Sequence, residues 1–359
     1  MRIVITGATG NVGTALLRRL TDHGDHDLVG LARRVPDPGA RGDGRLTWVS
    51  ADLTDPTTGI LLEETFRGAD AVVHLAWGFQ PSHKPDYLAE LGIGGTRRVL
   101  EAAAASAVPH LVHMSSVGAY SPKQDDRPVD ETYPTHGVAS SPYSQHKARA
   151  ERLLDEFASE HGDVTLTRMR PGFIGQPSAG SALLRYTLPS LVPARALRAI
   201  PVLPLDRSLR IPMVHADDVA DALTRAVTSG PGGTGGAFNL AAEPPVTVHD
   251  IADVLDARHM QVPRRIVRTV VAATWRAHLQ QLDPGWIDLA YSVPLLSIER
   301  ANRQLGWTPA HDGPSVLAAI VDGMASASHD ETPILRPRTL LDGFRRAARN
   351  GPVAHRRRP

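Results

Sequence analysis

The chain has 359 residues, enough for a large buried core in one sizeable domain or in a domain with a substantial appendage. Its 39 Lys and Arg nearly balance 38 Asp and Glu, so it lacks the overall basic field that a nucleic-acid partner calls for. Cysteine is absent, which excludes disulfides, thiolate metal sites and a cysteine nucleophile, while sixteen histidines make the charge sensitive to mild acid.

In chain order, MRIVITGATGNVGTALLRRLTDHG predicts a short buried strand from Ile3 to Thr6, a glycine-rich turn, and a helix with apolar residues at helical spacing. A strand beginning at Arg2 leaves no room for a cleavable leader and no apolar run approaches a membrane span, so the expectation is a cytoplasmic chain without an integral membrane segment. HDLVGLARR predicts a second strand, LTWVSADL a third and DAVVHLAW a fourth; an Ala-rich helix around residues 96–107 then leads into PHLVHMSS, a fifth. Near-continuous apolar strands alternating with helices are what a parallel sheet covered on both faces requires, which predicts a doubly wound α/β domain.

Beyond Pro177 the pattern loosens. QPSAGSALLRYTLPSLVPARALRAIPVLPLDRSLRIP is rich in Pro, Leu and Arg without a clean period, as expected of a cap or loop region. Regular elements return with HADDVADALTRAVTSG, a helix with an Asp-rich first turn, GAFNLA, a strand, and TVHDIADVLDARH, a helix starting at a Thr cap. VPRRIVRTVVAATWRAHLQQL predicts a basic amphipathic helix that packs its apolar face on the domain and exposes its arginines. The end, FRRAARNGPVAHRRRP, carries Arg345, Arg346, Arg349, Arg356, Arg357 and Arg358 and is expected to be solvated and mobile.

The stretch GATGNVG places Gly7, Gly10 and Gly13, with Asn11 and Val12, between the first strand and the first helix. One glycine permits the tight turn, one lets the backbone approach a pyrophosphate, and one lets helix and strand pack closely. The phosphates would sit against the helix N-terminus, where backbone N–H groups and the dipole favour negative charge. At the end of the second strand an acidic residue would bond the adenosine ribose and argue for NAD, whereas an arginine could pair with the extra phosphate of NADP. The sequence offers Arg33 and Arg34 and no carboxylate there, which favours NADP over NAD as cofactor. Asp52 and Leu53 end the third strand, where a carboxylate can accept a bond from the adenine amino group, and Leu75 and Ala76 end the fourth, close to the expected course of the cofactor.

In SPYSQHKARAERLL, Tyr143 and Lys147 stand four residues apart, on one helix face one turn apart. That spacing alone says little. The ordered series TGATGNVG, ADL, HLAW, HMSSVGAY, YSQHK, RPGFIG and VHADDVADA is far more specific, and it resembles the extended short-chain dehydrogenase/reductase family, the group that contains NAD-dependent epimerases and dehydratases. The resemblance runs from Met1 to about LGWTPA near residue 310. It implies a Rossmann domain over residues 1–176 and a smaller, partly irregular substrate-binding cap over residues 177–325 interleaved with the last Rossmann elements, while the charge pattern beyond it marks residues 326–359 as a basic, mobile extension. The resemblance implies Ser116, Tyr143 and Lys147 as the catalytic set, with Tyr143, Lys147 and Pro171 also contacting the cofactor, and Trp77, Ser116, Phe173 and Arg210 near the substrate. A homodimer paired through the Tyr143 helix is the partner state it implies.

The physical logic of that set stands by itself. A tyrosine with a pKa near 10 is a poor base at neutral pH, but a nearby lysine and a cationic nicotinamide ring each favour the phenolate. Two departures weaken a nucleotide-sugar substrate: GIGGT has Gly92 where many relatives carry asparagine, and Gly172 follows RP where an asparagine is usual. Leu183, Leu184, Leu188, Leu191, Val202, Leu203 and Leu205, with Trp77 and Phe79, would form a hydrophobic pocket or the core of the cap. Asp217 and Asp218 are read as helix-capping groups, and His110, His113 and His215 lack metal-ligand spacing. The expected function is an NADP-preferring oxidoreductase acting on a carbonyl or secondary alcohol of a small molecule. The alternatives are an epimerase or dehydratase of a nucleotide sugar and a non-catalytic dinucleotide sensor.

Overall fold

A computed structural model gives the fold and describes residues 1–22, 24–36, 45–78, 85–187, 194–230, 233–280 and 282–337. The strands are β1 (Arg2–Thr6), β2 (Asp27–Ala32), β3 (Leu46–Ser50), β4 (Ala71–His74), β5 (His110–Met114), β6 (Thr165–Pro171), β7 (Phe173–Gly175), β8 (Val202–Leu205), β9 (Arg210–His215), β10 (Gly236–Leu240), β11 (Ala242–Thr247) and β12 (Arg258–Gln261). The helices are α1 (Asn11–Asp22), α2 (Thr58–Phe66), α3 (Pro85–Ala89), α4 (Gly95–Ala105), α5 (Pro142–Glu160), α6 (Gly180–Thr187), α7 (Ala216–Thr228), α8 (Val248–Val254), α9 (Arg264–Arg276), α10 (Pro284–Ser292), α11 (Glu299–Leu305) and α12 (Gly313–Ala325).

Among the described residues, seven strands form a sheet in the order β10-β6-β5-β4-β1-β2-β3, and every neighbouring pair is parallel. The first strand pairs with β2 on one side and β4 on the other, so the strand order reverses there and a crevice opens beyond the carboxyl ends. Alternation along β1 supplies both faces. Ile3 and Ile5 pack with Leu16, Leu17, Val219 and Leu223 of α1 and α7, while Val4 packs on the opposite face with Leu62, Phe66, Val99 and Leu154. All of these are buried, as the two-sided cover of a parallel sheet demands.

The cap has its own core, in which Met213, Val246, Val316, Ile320 and Val321 meet beside the three-stranded sheet β11-β9-β7. The irregular stretch after Pro177 resolves into α6, a short turn at Ala194–Ala199 and β8. TVHDIADVLDARH is not one helix: Thr247 opens it with a reciprocal cap to Asp250, but it ends at Val254. Asp256 then adopts a φ of 52°, turning the chain into β12, which pairs with β8. The predicted packing of the basic helix is also modified. No residue of α9 is buried, and Ile266 and Val270 are more than half exposed while Val267, Val271 and Trp275 are half-buried.

A buried charge cluster fastens α5 to the sheet. Glu151 accepts from Arg170 on β6 at 2.8 and 2.9 Å, from Arg168 at 3.2 Å, and from the Ser115 hydroxyl at 2.5 Å. Burial works against the carboxylate, but the hydrogen bonds and charge of Arg170, together with Ser115 and Arg168, prevail and hold its pKa below the usual value. Arg170 also donates to Tyr120 Oη at 3.2 Å, and that hydroxyl donates to Asn239 on β10 at 2.6 Å. The cluster therefore ties the loop after β5, helix α5 and the sheet edge together.

Truncating one member leaves its partners charged and unpaired, so Glu151→Ala is expected to destabilise the protein by about 3 kcal/mol, read by chemical denaturation. Joint replacement of Glu151 and Arg170 by methionine should recover part of that loss. Acid sensitivity has a second source. Burial lowers His74 to about 3 and His110 to about 4, so both stay neutral when folded but take up a proton near 6.5 when unfolded. Their contribution is intact above pH 6.5 and is lost as pH falls from there toward 4 for His110 and toward 3 for His74. Thermal midpoints should decline over that window, and less steeply in a His110→Gln variant.

Candidate functional site

The carboxyl ends of β1, β2, β4 and β5, with the start of α1 and part of the cap, enclose a cavity of about 870 Å³. One end is set by the glycine-rich turn. Gly7 has a φ of 71°, and a Cβ on it would lie 2.7 Å from the Ala76 amide nitrogen, so only glycine lets β1 and β4 come together here. A Cβ on Gly13 would lie 2.5 Å from the Gly7 carbonyl oxygen, and Gly10 N–H closes the turn on that same oxygen at 2.9 Å. Gly10, Asn11, Val12 and Gly13 line the cavity. Asn11 also ties the turn to the cap, donating to Ile174 O at 3.2 Å while its own carbonyl accepts from Gln176 at 2.7 Å. A bare turn at a helix N-terminus, cradled this closely, fits a dinucleotide diphosphate.

Along the cavity from this turn come Arg33 and Arg34, then Asp52, Leu53, Leu75 and Ala76. Arg33 donates to Tyr87 Oη at 2.7 Å, which holds its guanidinium at the wall. Asp52 accepts from Thr54 N and Oγ1 through one carboxylate oxygen, at 3.0 and 2.7 Å.

At the middle of the cavity Ser116, Tyr143, Lys147 and Pro171 converge. Ser141 caps α5 and Pro142 starts it, which sets Tyr143 and Lys147 on the face turned to the strand ends. Ser116 Oγ accepts from Gly118 N at 3.0 Å and is hydrogen-bonded to the Tyr143 phenol. Burial pushes that phenol up to about 12, and the Ser116 bond works in the opposite direction. Trp286 of α10 lies over the Tyr143 ring, with centroids 5.1 Å apart at 31°.

Lys147 is 2 % exposed. Its Nζ donates to Met114 O at 2.8 Å and sits 3.5 Å from the centroid of the Trp77 ring. Burial drives its pKa well below the ordinary value, and Glu151, one turn along the helix, acts against that. The far edge of Trp77 rests on Gly92: a Cβ there would stand 2.9 Å from the indole. The position where many relatives of this kind carry asparagine is therefore filled by the tryptophan.

Beyond Tyr143 the wall is hydrocarbon, from Phe173, Leu183, Ile211, Met213, Val246, Leu289 and Val293. Arg210 is not part of it. That guanidinium donates to Arg207 O and Leu209 O at 3.0 and 2.7 Å, outside the cavity. Of the other apolar residues put forward from the sequence, Leu183 reaches the cavity, Leu184 belongs to the cap core, Val202 is exposed, and Leu203 and Leu205 lie away from it. Phe79, Leu188 and Leu191, like the arginines from Arg345 onward, lie outside the described residues. Trp286, Leu289 and Val293 gave no signal in the sequence. Glu151 gave one, standing four residues after Lys147 on the same helix face.

The aspartates Asp217 and Asp218 open α7, where Asp218 accepts from Ala310 N and His311 N at 3.0 and 3.2 Å. Among the described residues no group of three His, Asp or Glu could hold a metal ion, and no helix is long and apolar enough to cross a membrane.

Residues 3–241 match the NAD dependent epimerase/dehydratase family. An uncharacterized protein of Mycobacterium tuberculosis is 27% identical over 323 residues, which cover 88% of this chain but 29% of that protein, so the chain spans under a third of that relative's length. A UDP-glucose 4-epimerase of Mycolicibacterium smegmatis is 29% identical over 253 residues, covering 67% of this chain and 77% of the epimerase. Among solved structures, a Thermus thermophilus UDP-glucose 4-epimerase in complex with NAD shares the fold with a TM-score of 0.66 at 20% identity, over 91% of this chain and all (100%) of that one. The chain belongs to the NAD-dependent epimerase/dehydratase family and is an enzyme of that family.

Proposed function

We propose that the protein is an NADP-preferring oxidoreductase that interconverts a carbonyl and a secondary alcohol on an apolar small molecule. The observation that carries this reading is the hydrocarbon wall beyond Tyr143. A nucleotide sugar would bring a diphosphate into that space, where burying its charge is costly unless a cation meets it; Arg185, on the cap side of the cavity, already donates to Ile334 O and Arg336 O. Arg210, the side chain suited to meeting it, is committed to backbone carbonyls elsewhere.

When bound, the dinucleotide supplies the hydride acceptor or donor. Tyr143 holds the proton at its Oη, taking it from a carbinol in one direction and returning it in the other. With its pKa pushed up to about 12 the free-state phenol stays protonated at neutral pH, ready to give its proton to an alkoxide, whereas the phenolate that oxidation requires is scarcely populated until positive charge is added beside it. Lys147 is the cation nearest that task and also a donor for the nicotinamide ribose. Ser116 orients the substrate oxygen and bonds it as charge develops. Pro171 borders the nicotinamide end, Phe173 the substrate end. Arg33 and Arg34 meet the additional phosphate of NADP, and Asp52 the adenine amino group.

A second reading, epimerisation or dehydration of a nucleotide sugar, is favoured by one of the relatives named above, the UDP-glucose 4-epimerase of Mycolicibacterium smegmatis. The two readings share the Ser116, Tyr143 and Lys147 chemistry and differ in the substrate chamber. By likeness to the family, two copies are expected to pair through α4 and α5.

Turnover of apolar secondary alcohols with NADP, set against UDP-glucose, discriminates the readings: oxidation of the former with no conversion of the latter is the expected outcome. Tyr143→Phe should lower turnover by about 10²- to 10⁴-fold with dinucleotide affinity retained, and full activity in that variant would remove the catalytic assignment. Titration should show NADPH bound more tightly than NADH, with Arg34→Ala erasing the difference.

A further inference from the structure

The chain does not end its ordered course at α12. Residues 328–337 turn back over the glycine-rich loop, more than three hundred positions away in sequence. Thr332, 1 % exposed, donates its hydroxyl to Thr9 O at 3.0 Å, next to Gly10. Asp330 shapes the turn, its amide donating to Leu335 O at 3.1 Å and its carboxylate accepting from Thr332 N at 3.2 Å. Leu335 is 1 % exposed and packs on Ala179 and Ala182 of the cap. The segment is held at both ends: Ser181 binds Ala327 O and Ser328 O at 2.6 and 2.8 Å, while Arg185 donates to Ile334 O and to Arg336 O.

These contacts form a closed turn with its own buried anchor. Residues 333–336 line the same cavity as Gly7, Gly10 and Asn11. Arg336 is exposed at this wall and makes no ion pair among the described residues. The glycine-rich turn presents backbone N–H groups and the positive end of α1, and the returning segment, joined to it at Thr9, carries a guanidinium on the same cavity. Fixed cations beside a helix N-terminus are suited to a diphosphate.

We propose that residues 328–337 form a clasp over the diphosphate of the bound dinucleotide, with Arg336 as its cationic contact and the Thr332 to Thr9 hydrogen bond as its latch. This rests on the dinucleotide reading of the glycine-rich turn. The clasp lies across the cavity at Thr9, so the latch opens before the dinucleotide leaves. Retention and release then depend on this segment, which also packs through Leu335 on the cap residues beside Leu183.

The test measures affinity and dissociation rate of NADPH and NADH on the full-length protein, by nucleotide fluorescence, across a range of salt. Arg336→Gln should weaken binding about tenfold and flatten its salt dependence. Thr332→Val should speed dissociation while leaving association nearly unchanged. Arg127→Gln, the same charge change at a side chain 89 % exposed on another loop, should do neither. Variants at 336 and 332 that bind and release as the parent does would overturn the clasp while leaving the dinucleotide site standing. Failure of the parent protein to bind either nucleotide would overturn the dinucleotide reading, and the clasp with it.

Discussion

Glu151 is the point on which the site depends. Helix α5 carries Tyr143 and Lys147, and its position over the strand ends is fixed by a carboxylate sunk between Ser115 on one side and Arg168 and Arg170 on the other. A buried pair of this kind adds little net stability over a hydrocarbon packing of the same shape, because two ions have left water. What it gives is a unique register. A slide of α5 along the sheet would strand a guanidinium, a hydroxyl and a carboxylate at once, whereas a leucine contact would tolerate it.

That register matters because Lys147 is held with little margin. Its ammonium is buried with one carbonyl and one aromatic face for company, and the carboxylate one turn away is already engaged by two arginines. Trp77 and Gly92 form a matched pair: the indole lies under the ammonium only because no side chain projects from position 92. On the other side, Trp286 covers the Tyr143 ring and raises the apolar character of the chamber. Trp286 thus lies over the Tyr143 ring and Trp77 against Lys147, in surroundings that suit a neutral phenol.

Much of this was legible in the sequence where short-range rules act. The alternation of buried strands and helices, the glycine-rich turn and the Tyr143 to Lys147 spacing depend on local geometry, and the strands fall where the apolar runs place them. Legibility failed where distant contacts decide. Arg210 faces away because nearby carbonyls of its own loop capture it. Asp256 breaks what composition reads as a continuing helix, through a backbone turn that propensity does not register. Trp286, Leu289 and Val293 come from a short helix whose apolar residues look like any core face, and their role follows only from where α10 packs. The segment around Thr332 reads as the start of a polar tail until its hydroxyl meets Thr9.

The central claim is that the enzyme exchanges a dinucleotide on every cycle to carry out net redox chemistry. An epimerase returns the hydride before product leaves and has no need to release its cofactor. The most direct measurement is to denature freshly purified protein and identify any released nucleotide by mass spectrometry. A substoichiometric yield, with the emptied site refilled preferentially by NADPH, is the predicted result. Stoichiometric NAD would contradict it and place the protein with the epimerases and dehydratases of its family.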